Sequence, residues 1–274
     1  MTISVKDQFK GFLSTSQIFA QDGIFGYPSF NTFEYCSKAF DFEPIDPPAK
    51  VLGKRMEDFF AQYVINFTPD EILVRNEQII EGKNTVGEID FLLRDPASEI
   101  VSHVEMIFKF YLFDPESGTS ELDHFIGPNK RDSLNRKLER LQKRQFPLLF
   151  HPATKELLNS LELHAEDVVQ KICFKAAVFP PLFMKEHVPK QINPETLTGY
   201  WIKAQEITPE AYGENLFFIP GKFYWPVDPR VNEVWKPFQI IEEELQLLLK
   251  KRFAPLIWMK TPAGNHERFF VVWW

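Results

Sequence analysis

The order of hydrophobic patterns between residues 51 and 179 constrains the fold most strongly. An amphipathic helix pattern is followed by three strand-like runs, a second helical pattern and a further strand, at residues 51–66, 71–80, 86–95, 99–114, about 133–145 and 171–179. Pro96, Ala97 and Ser98 join the second and third runs, which suits a hairpin. Because this hairpin precedes a helical crossover to another strand, the order predicts an α/β fold with a mixed sheet flanked by helices.

Proline-containing joints divide the rest of the chain. Residues 1–49 are expected to form an N-terminal arm and residues 50–180 the α/β core. Residues 181–274 contain three strand-like runs and a helical one, YWIKAQEI, PLIWMK, RFFVVWW and IIEEELQLLLKKR. We interpret them as an α/β extension that either packs on the same sheet or forms a small second domain.

Composition excludes several classes of protein. Hydrophobic residues make up 44% of the chain and charged residues 25%, which is ordinary for a globular protein and argues against disorder. A net charge of −7 argues against a nucleic-acid binder that relies on its overall charge, but leaves room for a local basic strip. The six histidines are dispersed without close ligand spacing, which argues against zinc.

The cysteines and the hydropathy pattern indicate a cytoplasmic protein. Cys36 and Cys173 are the only cysteines, and no signal-peptide pattern precedes them, so we expect two buried thiols in a reducing compartment. No run approaches the roughly 20 apolar residues that a membrane span requires. The sequence therefore predicts no membrane association.

Acidic side chains recur at alternate positions on the two hairpin strands. Glu88 and Asp90 share one face of the first strand. One face of the second strand carries His103, Glu105, Ile107 and Lys109. A turn at Pro96 and Ala97 would place Asp90 roughly opposite His103, with Glu105 as its diagonal neighbour at about 7–8 Å.

Such a carboxylate pair suggests a metal site. Mg²⁺ takes oxygen ligands and is usually held by few protein carboxylates, with water and phosphate completing its coordination. The neighbouring runs FLL and MIF indicate central strands, where ionised residues seldom lie without a role, so we favour function over a structural pair for Asp90 and Glu105. Lys109 could then face developing charge, while Glu88 and His103 either support the pair or lie at its rim.

The strings VGEIDFLLRD, HVEMIFKFYL and GPNKRDSLNRKLERL resemble a bacterial family, the domain of unknown function 1853 family, placed in the PD-(D/E)XK nuclease superfamily. The resemblance implies a restriction-endonuclease-like fold and a nuclease dependent on Mg²⁺ or Mn²⁺. It implies that Asp90 and Glu105 bind the metal, that Lys109 is their charged partner, and that Glu57 on the first helix is an additional acidic residue.

The sequence departs from the superfamily motif at the lysine. The motif usually places its lysine two residues after the final acid, where this chain has Ile107. Lys109 follows two residues later, on the same face of the strand but displaced by about 6–7 Å. Two hypotheses therefore stand: an active nuclease, favoured by the acidic cluster, and a catalytically inactive nuclease-fold module that binds nucleic acid or protein.

A basic segment follows the hairpin. Between Lys130 and Arg144 there are seven Lys or Arg residues and two acids, in a chain that is otherwise acidic. Lys137, Arg140 and Arg144 fall at helical spacing beside a leucine face, which predicts a stripe. This stripe is either a solvated helix face or a phosphate-binding surface, and the contrast with the net charge supports the second interpretation.

Overall fold

A computed structural model of the chain describes residues 3–19, 23–30 and 41–274. These residues group into two compact units. The central unit contains Gln17–Phe108 and Arg136–Lys175, and the flanking unit contains Met1–Ser16, Lys109–Asn135 and Ala176–Trp274. The predicted core of residues 50–180 thus contributes to both units, and its status as a separate domain stays a prediction. Cys173 is buried with a free thiol, whereas Cys36 lies outside the described residues.

Helices and strands alternate along much of the chain. The α-helices of the described residues are α1 (Val5–Ser14), α2 (Leu52–Phe67), α3 (Leu134–Arg140), α4 (Lys155–Ser160), α5 (Pro209–Tyr212) and α6 (Phe238–Lys250). The strands are β1 (Glu71–Glu81), β2 (Asn84–Arg94), β3 (Val101–Phe113), β4 (Phe125–Ile126), β5 (Val169–Phe179), β6 (Tyr200–Lys203), β7 (Leu216–Phe218), β8 (Lys236–Pro237), β9 (Leu256–Lys260) and β10 (His266–Val272). None of the described helices combines the length and apolar character needed to cross a bilayer.

The strands form two sheets. The first has the order β1-β2-β3-β4, with β5 also paired to β3, and the second has the order β6-β10-β9-β7-β8. Both sheets are mixed, and in the second β6 runs parallel to β10 while β9 runs antiparallel to it. The predicted α/β class with a mixed sheet and flanking helices is therefore confirmed.

Helix α2 forms where the apolar spacing predicts it. Five apolar residues at helical spacing in its sequence are buried, namely Leu52, Met56, Phe59, Phe60 and Tyr63. The helix ends at Phe67, and the next residue, Thr68, donates its hydroxyl to the carbonyl of Val64 at 3.0 Å. Burial of this apolar face fixes the side of α2 that carries Glu57, which is itself only 8% exposed.

Each unit has its own apolar cluster. In the central unit, β-strand residues Ile89 and Leu92 belong to one cluster with Leu148, Leu149 and Leu158. In the flanking unit, α6 belongs with the second sheet to a cluster that includes Phe217, Phe238, Ile241, Leu245, Ile257 and Phe269. Burial of these side chains provides the main driving force for folding of both units.

Candidate metal and phosphate site

The β2–β3 hairpin sets the positions of the two predicted metal ligands. Its register places Leu92 opposite His103, so the expected alignment of Asp90 with His103 is wrong by two residues. Continuing the observed register brings Asp90 opposite Glu105. The correction turns a diagonal pair into a direct cross-strand pair, in which side chains approach each other more closely.

The hairpin loop explains this shift in register. It covers residues 95–100, twice the length of the expected turn at Pro96, Ala97 and Ser98. The Asp95 carboxylate accepts hydrogen bonds from the Ala97 N–H at 2.9 Å and from the Ser98 hydroxyl at 2.7 Å. These hydrogen bonds stabilise a wider turn, as aspartate side chains commonly do.

Asp90 is a buried acid in a strongly negative environment. Its side chain is 7% exposed, and its Oδ2 accepts a hydrogen bond from the Met106 N–H at 3.1 Å. Burial, followed by the neighbouring carboxylates of Glu105 and Glu57, raises the pKa of Asp90 to about 8. At neutral pH Asp90 therefore keeps a proton that an ordinary aspartate would have released.

Two donors hold Glu105, which is completely buried. Its Oε1 lies 3.1 Å from His103 Nε2, and its Oε2 accepts a hydrogen bond from the Gln145 side-chain amide. A carboxylate offers about four lone-pair sites, so each oxygen can still accept a further partner. The two donors fix the orientation of the Glu105 carboxylate.

Hydrogen bonding defines the tautomer of His103. The Gln170 amide nitrogen donates to the Phe146 carbonyl at 2.7 Å, which identifies it as the nitrogen end of that side chain. The same nitrogen lies 3.1 Å from His103 Nδ1, so Nδ1 accepts. His103 Nε2 therefore carries the hydrogen and donates a hydrogen bond to Glu105 Oε1. His103 thus supports Glu105, one of the two roles considered for it.

Helix α2 contributes Glu57 and a lysine. Lys54 Nζ lies 2.8 Å from Glu57 Oε2 and also binds Glu88 of β2. Burial opposes the charge of Lys54, but these two carboxylates outweigh it, so the pKa of Lys54 lies above its usual value. Burial raises the pKa of Glu57, and Lys54 offsets part of that effect. Glu57 and Glu88 therefore both lie beside a cation.

Lys109 has a different partner. Its ammonium group binds Asp132 at 2.5 Å, and both residues belong to the flanking unit, whereas Glu57, Asp90 and Glu105 belong to the central unit. Ile107, at the usual position of the motif lysine, is buried. The expected role of Lys109 stays a prediction.

The basic segment is not one continuous α-helix. Helix α3 ends at Arg140, and Leu141–Gln145 forms a π-helical turn in which the Phe146 N–H donates to the Leu141 carbonyl. A π turn holds more residues than an α turn, so Arg144 leaves the stripe expected for Lys137 and Arg140.

The three basic side chains differ in exposure. Arg140 and Arg144 are exposed, whereas Lys137 is half-buried and donates to Gln145 Oε1 at 2.8 Å. Since Gln145 also donates to Glu105, it links one basic residue directly to the carboxylate site.

Lys54 and Gln145 are the site residues that sequence reasoning missed. A lysine near the start of an amphipathic helix has the pattern of a solvated side chain, and no local signal marks its two carboxylate partners. The Lys-Arg-Gln sequence before Phe146 likewise gives no indication of a π turn. Only the spacing of Lys54 and Glu57, three residues apart on one helix face, could have suggested their contact.

The donor chemistry of this site fits a hard divalent cation. Among the described residues, no group of three or more His, Cys, Asp or Glu side chains is arranged to hold a metal ion. Mg²⁺, however, is often bound by only one or two carboxylates together with water and phosphate oxygens. Asp90 and Glu105 supply oxygen donors. Burial, followed by the charges of Glu105 and Glu57, raises the pKa of Asp90, and a bound cation would neutralise those charges.

Comparison with known proteins identifies one family for this chain. The fold is mixed α/β with a buried acidic pair on adjacent strands of one sheet. The family described as "Domain of unknown function (DUF1853)" matches residues 42–272, and the chain belongs to this family. No curated protein and no solved structure matches the chain significantly.

Proposed function

We propose that the chain is a metal-dependent phosphodiesterase of the PD-(D/E)XK superfamily, with a restriction-endonuclease-like core, that hydrolyses DNA or RNA. The observation that carries this proposal is the buried pair of Asp90 and Glu105 on adjacent strands, with the pKa of Asp90 raised to about 8. Ionised acids are seldom buried together without a compensating partner, and strongly perturbed carboxylates occur preferentially at functional sites.

Asp90 and Glu105 would hold Mg²⁺ or Mn²⁺. When bound, such an ion lowers the pKa of a coordinated water and stabilises negative charge on a phosphoryl group. Gln145 and His103 hold the Glu105 carboxylate in place, and the Met106 N–H does the same for Asp90. Fixing ligand orientation in this way typically strengthens metal binding.

Lys54 is the better candidate for the positive charge at the site. It lies beside Glu57 and Glu88 in the same unit as Asp90, whereas Lys109 is paired with Asp132. An ammonium group in this position could approach a phosphate oxygen once the phosphodiester displaces one of its carboxylate contacts. Such a group stabilises charge that develops in the transition state.

A substrate with a phosphate backbone also fits the basic residues of this unit. Lys137, Arg140 and Arg144 belong to the central unit, and Lys137 connects through Gln145 to Glu105. Backbone phosphates bind such side chains without regard to base sequence, and they release counterions when they do.

The alternative is a catalytically inactive nuclease-fold module that binds nucleic acid or protein. The buried Ile107 at the motif lysine position and the net charge of −7 favour it. Both hypotheses retain the basic residues, so binding alone does not separate them. Cleavage and metal binding do.

The test is a cleavage panel with single-stranded, duplex and branched nucleic acid in the presence of Mg²⁺ or Mn²⁺. Wild type should cut at least one substrate, and Asp90→Ala should abolish cutting because it removes a metal ligand. Asp90→Asn, which preserves volume and an acceptor for Met106, should be inactive as well. Calorimetric titration with each metal should give a heat of binding that both variants lose.

Asp167→Ala is the matched control, since Asp167 is an exposed acid of the same unit. Its activity should equal that of wild type. Equal cleavage by wild type and Asp90→Ala would point to a contaminating nuclease. Good nucleic-acid binding with neither cleavage nor metal binding would favour the inactive module.

A further inference from the structure

A second candidate site lies within the flanking unit. A cavity of about 740 Å³ is lined by residues from the end of α1, residues 185–186, the segment leading into β6, the loop at residues 226–230 and the start of β10. Its volume is typical of cavities that bind small molecules. None of its lining residues belongs to the carboxylate site of the central unit.

Arg268 is the central feature of this cavity. Its Nε donates to the carbonyl of Thr198 at 3.0 Å, which fixes the plane of the guanidinium group. Within the described part of the chain, its two terminal nitrogens have no hydrogen-bond partner. Burial lowers the pKa of Arg268 to about 10, and nearby Asp228 compensates only in part. The cavity thus contains a guanidinium group whose two terminal nitrogens can donate hydrogen bonds to a ligand.

The carboxylates around Arg268 are engaged elsewhere. Asp228 receives hydrogen bonds from Arg230 Nε at 3.0 and 2.9 Å and from Arg230 Nη2 at 2.5 Å. Glu267 accepts the hydroxyl of Tyr200 at 2.9 Å and lies 3.6 Å from Lys185 Nζ. Neither acid is therefore the direct partner of the Arg268 terminal nitrogens.

Thr198 adds a donor beside the guanidinium group. Its Oγ1 is buried and has no hydrogen-bond partner among the described residues, although Thr198 lines the cavity. The next residue must be glycine, because a Cβ at Gly199 would lie 2.1 Å from the backbone oxygen of Arg268. This close approach of the two chain segments brings Thr198 beside Arg268, whose Nε donates to the Thr198 carbonyl.

We propose that this cavity binds a small molecule through a carboxylate or phosphate oxyanion, held by the two terminal nitrogens of Arg268 and the hydroxyl of Thr198. A planar guanidinium group binds two oxygens of such an anion at once. The lining carries three basic residues and three acidic ones. The basic residues are Lys185, Arg230 and Arg268, and the acidic residues are Glu186, Asp228 and Glu267. That balance selects against polyanions such as tripolyphosphate.

The test is an NMR titration of isotopically labelled full-length protein with inorganic phosphate and, separately, with acetate, at constant ionic strength. Saturable shifts of the Gly199 and Arg268 amides with either probe are expected, with a Kd below about 10 mM. Arg268→Gln should weaken binding roughly 10- to 100-fold, since it removes charge-assisted hydrogen bonds. Thr198→Val, which preserves side-chain shape, should weaken it about 3- to 10-fold.

Lys185→Gln is the charge-matched control, because Lys185 lines the same cavity but contacts Glu267. It should change affinity less than about threefold. Equal losses in Lys185→Gln and Arg268→Gln would overturn the proposal, as would the absence of saturable shifts with both probes or tighter binding of tripolyphosphate. If Arg268→Gln does not fold, unchanged affinity in Thr198→Val overturns the proposal by itself.

Discussion

Asp90 Oδ2 on β2 accepts a hydrogen bond from the Met106 N–H on β3 at 3.1 Å. A side-chain carboxylate therefore provides an acceptor for the backbone of the neighbouring strand, one position beyond Glu105. This contact holds Asp90 on the side of the hairpin where Glu105 and Glu57 act on its charge. The raised pKa of Asp90 and its proposed role as a metal ligand both depend on this placement.

The first prediction concerns the pH dependence of stability. The pKa of Asp90 is about 8 in the folded chain, compared with an ordinary value of 3.8, so the folded state keeps a proton that the unfolded state releases. The stability from this group is fully present below about pH 4 and is lost as pH rises to about 8, by at most roughly 1.4 kcal/mol per pH unit. Asp90→Asn should remove this loss.

Urea denaturation between pH 5 and pH 9, in the presence of a chelator, measures the effect. As pH rises to about 8, the free energy of unfolding of wild type should fall relative to that of Asp90→Asn. Above about pH 8 the two curves should be parallel. Asp167→Asn, at an exposed position, should follow the wild-type curve throughout. Parallel curves for wild type and Asp90→Asn over the whole range would show that Asp90 titrates normally.

The second prediction concerns Gln145, which donates to Glu105 and accepts from Lys137. Gln145→Met preserves side-chain length but removes both hydrogen bonds. Metal affinity should fall roughly 10- to 100-fold, the usual effect of removing a group that orients a ligand. Calorimetric titration with Mn²⁺ measures the change.

Gln142→Met is the matched control for this substitution. Gln142 lies on the same π turn and is exposed. It should leave the Mn²⁺ affinity unchanged. Similar losses in both variants would mean that the π turn, and not the contact with Glu105, determines metal binding.

Sequence reasoning identified the elements of the hairpin and the burial of Asp90 and Glu105. Alternation along each strand determines which residues share a face, and hydrophobic neighbours indicate burial, so both features could be predicted from local patterns. The register of β2 against β3 could not be predicted, because it depends on the hydrogen bonds that Asp95 makes within the loop. The strand patterns are compatible with turns of different lengths.

The remaining parts of the site depend on contacts between distant segments. Lys54 meets Glu88 only because α2 packs in one particular orientation, and Gln145 meets Glu105 across 40 positions of sequence. Helical periodicity also cannot indicate where an α-helix changes to a π turn. For this reason the sequence predicted a basic stripe that continues through Arg144. It did not predict that Lys137 connects through Gln145 to Glu105.

The third prediction concerns nucleic-acid binding by the basic residues. Replacing Lys137, Arg140 and Arg144 together with glutamine should weaken binding and reduce the salt slope by about 0.7–0.9 for each phosphate that the variant no longer neutralises. Fluorescence anisotropy of a labelled oligonucleotide at several salt concentrations measures both quantities. An unchanged slope would assign these side chains to a solvated surface.

A charge-matched triple variant separates specific contacts from overall charge. Lys236, Lys250 and Lys251 are exposed residues of the flanking unit. Their replacement by glutamine changes net charge equally and should affect affinity only weakly. Equal effects of the two triple variants would indicate binding through the net field of the chain.

The last prediction distinguishes the two candidate lysines. Lys54→Met and Lys109→Met remove the same charge and retain similar side-chain length, but only Lys54 contacts Glu57 and Glu88. Lys54→Met should reduce metal-dependent cleavage roughly 10- to 100-fold, because it removes the cation that we propose stabilises the reacting phosphate. Lys109→Met should reduce it less than about threefold, since Lys109 binds Asp132.

The pH profile of the same reaction separates a chemical role of Lys54 from a structural one. Lys54 lowers the pKa of Glu57 against the effect of burial, so its removal should raise that pKa and shift the acid limb of the profile to higher pH. Lys54→Arg retains a positive charge and should restore most of the activity and the original limb. A larger decrease in Lys109→Met than in Lys54→Met would return the role of charged partner to Lys109, as the family resemblance implies.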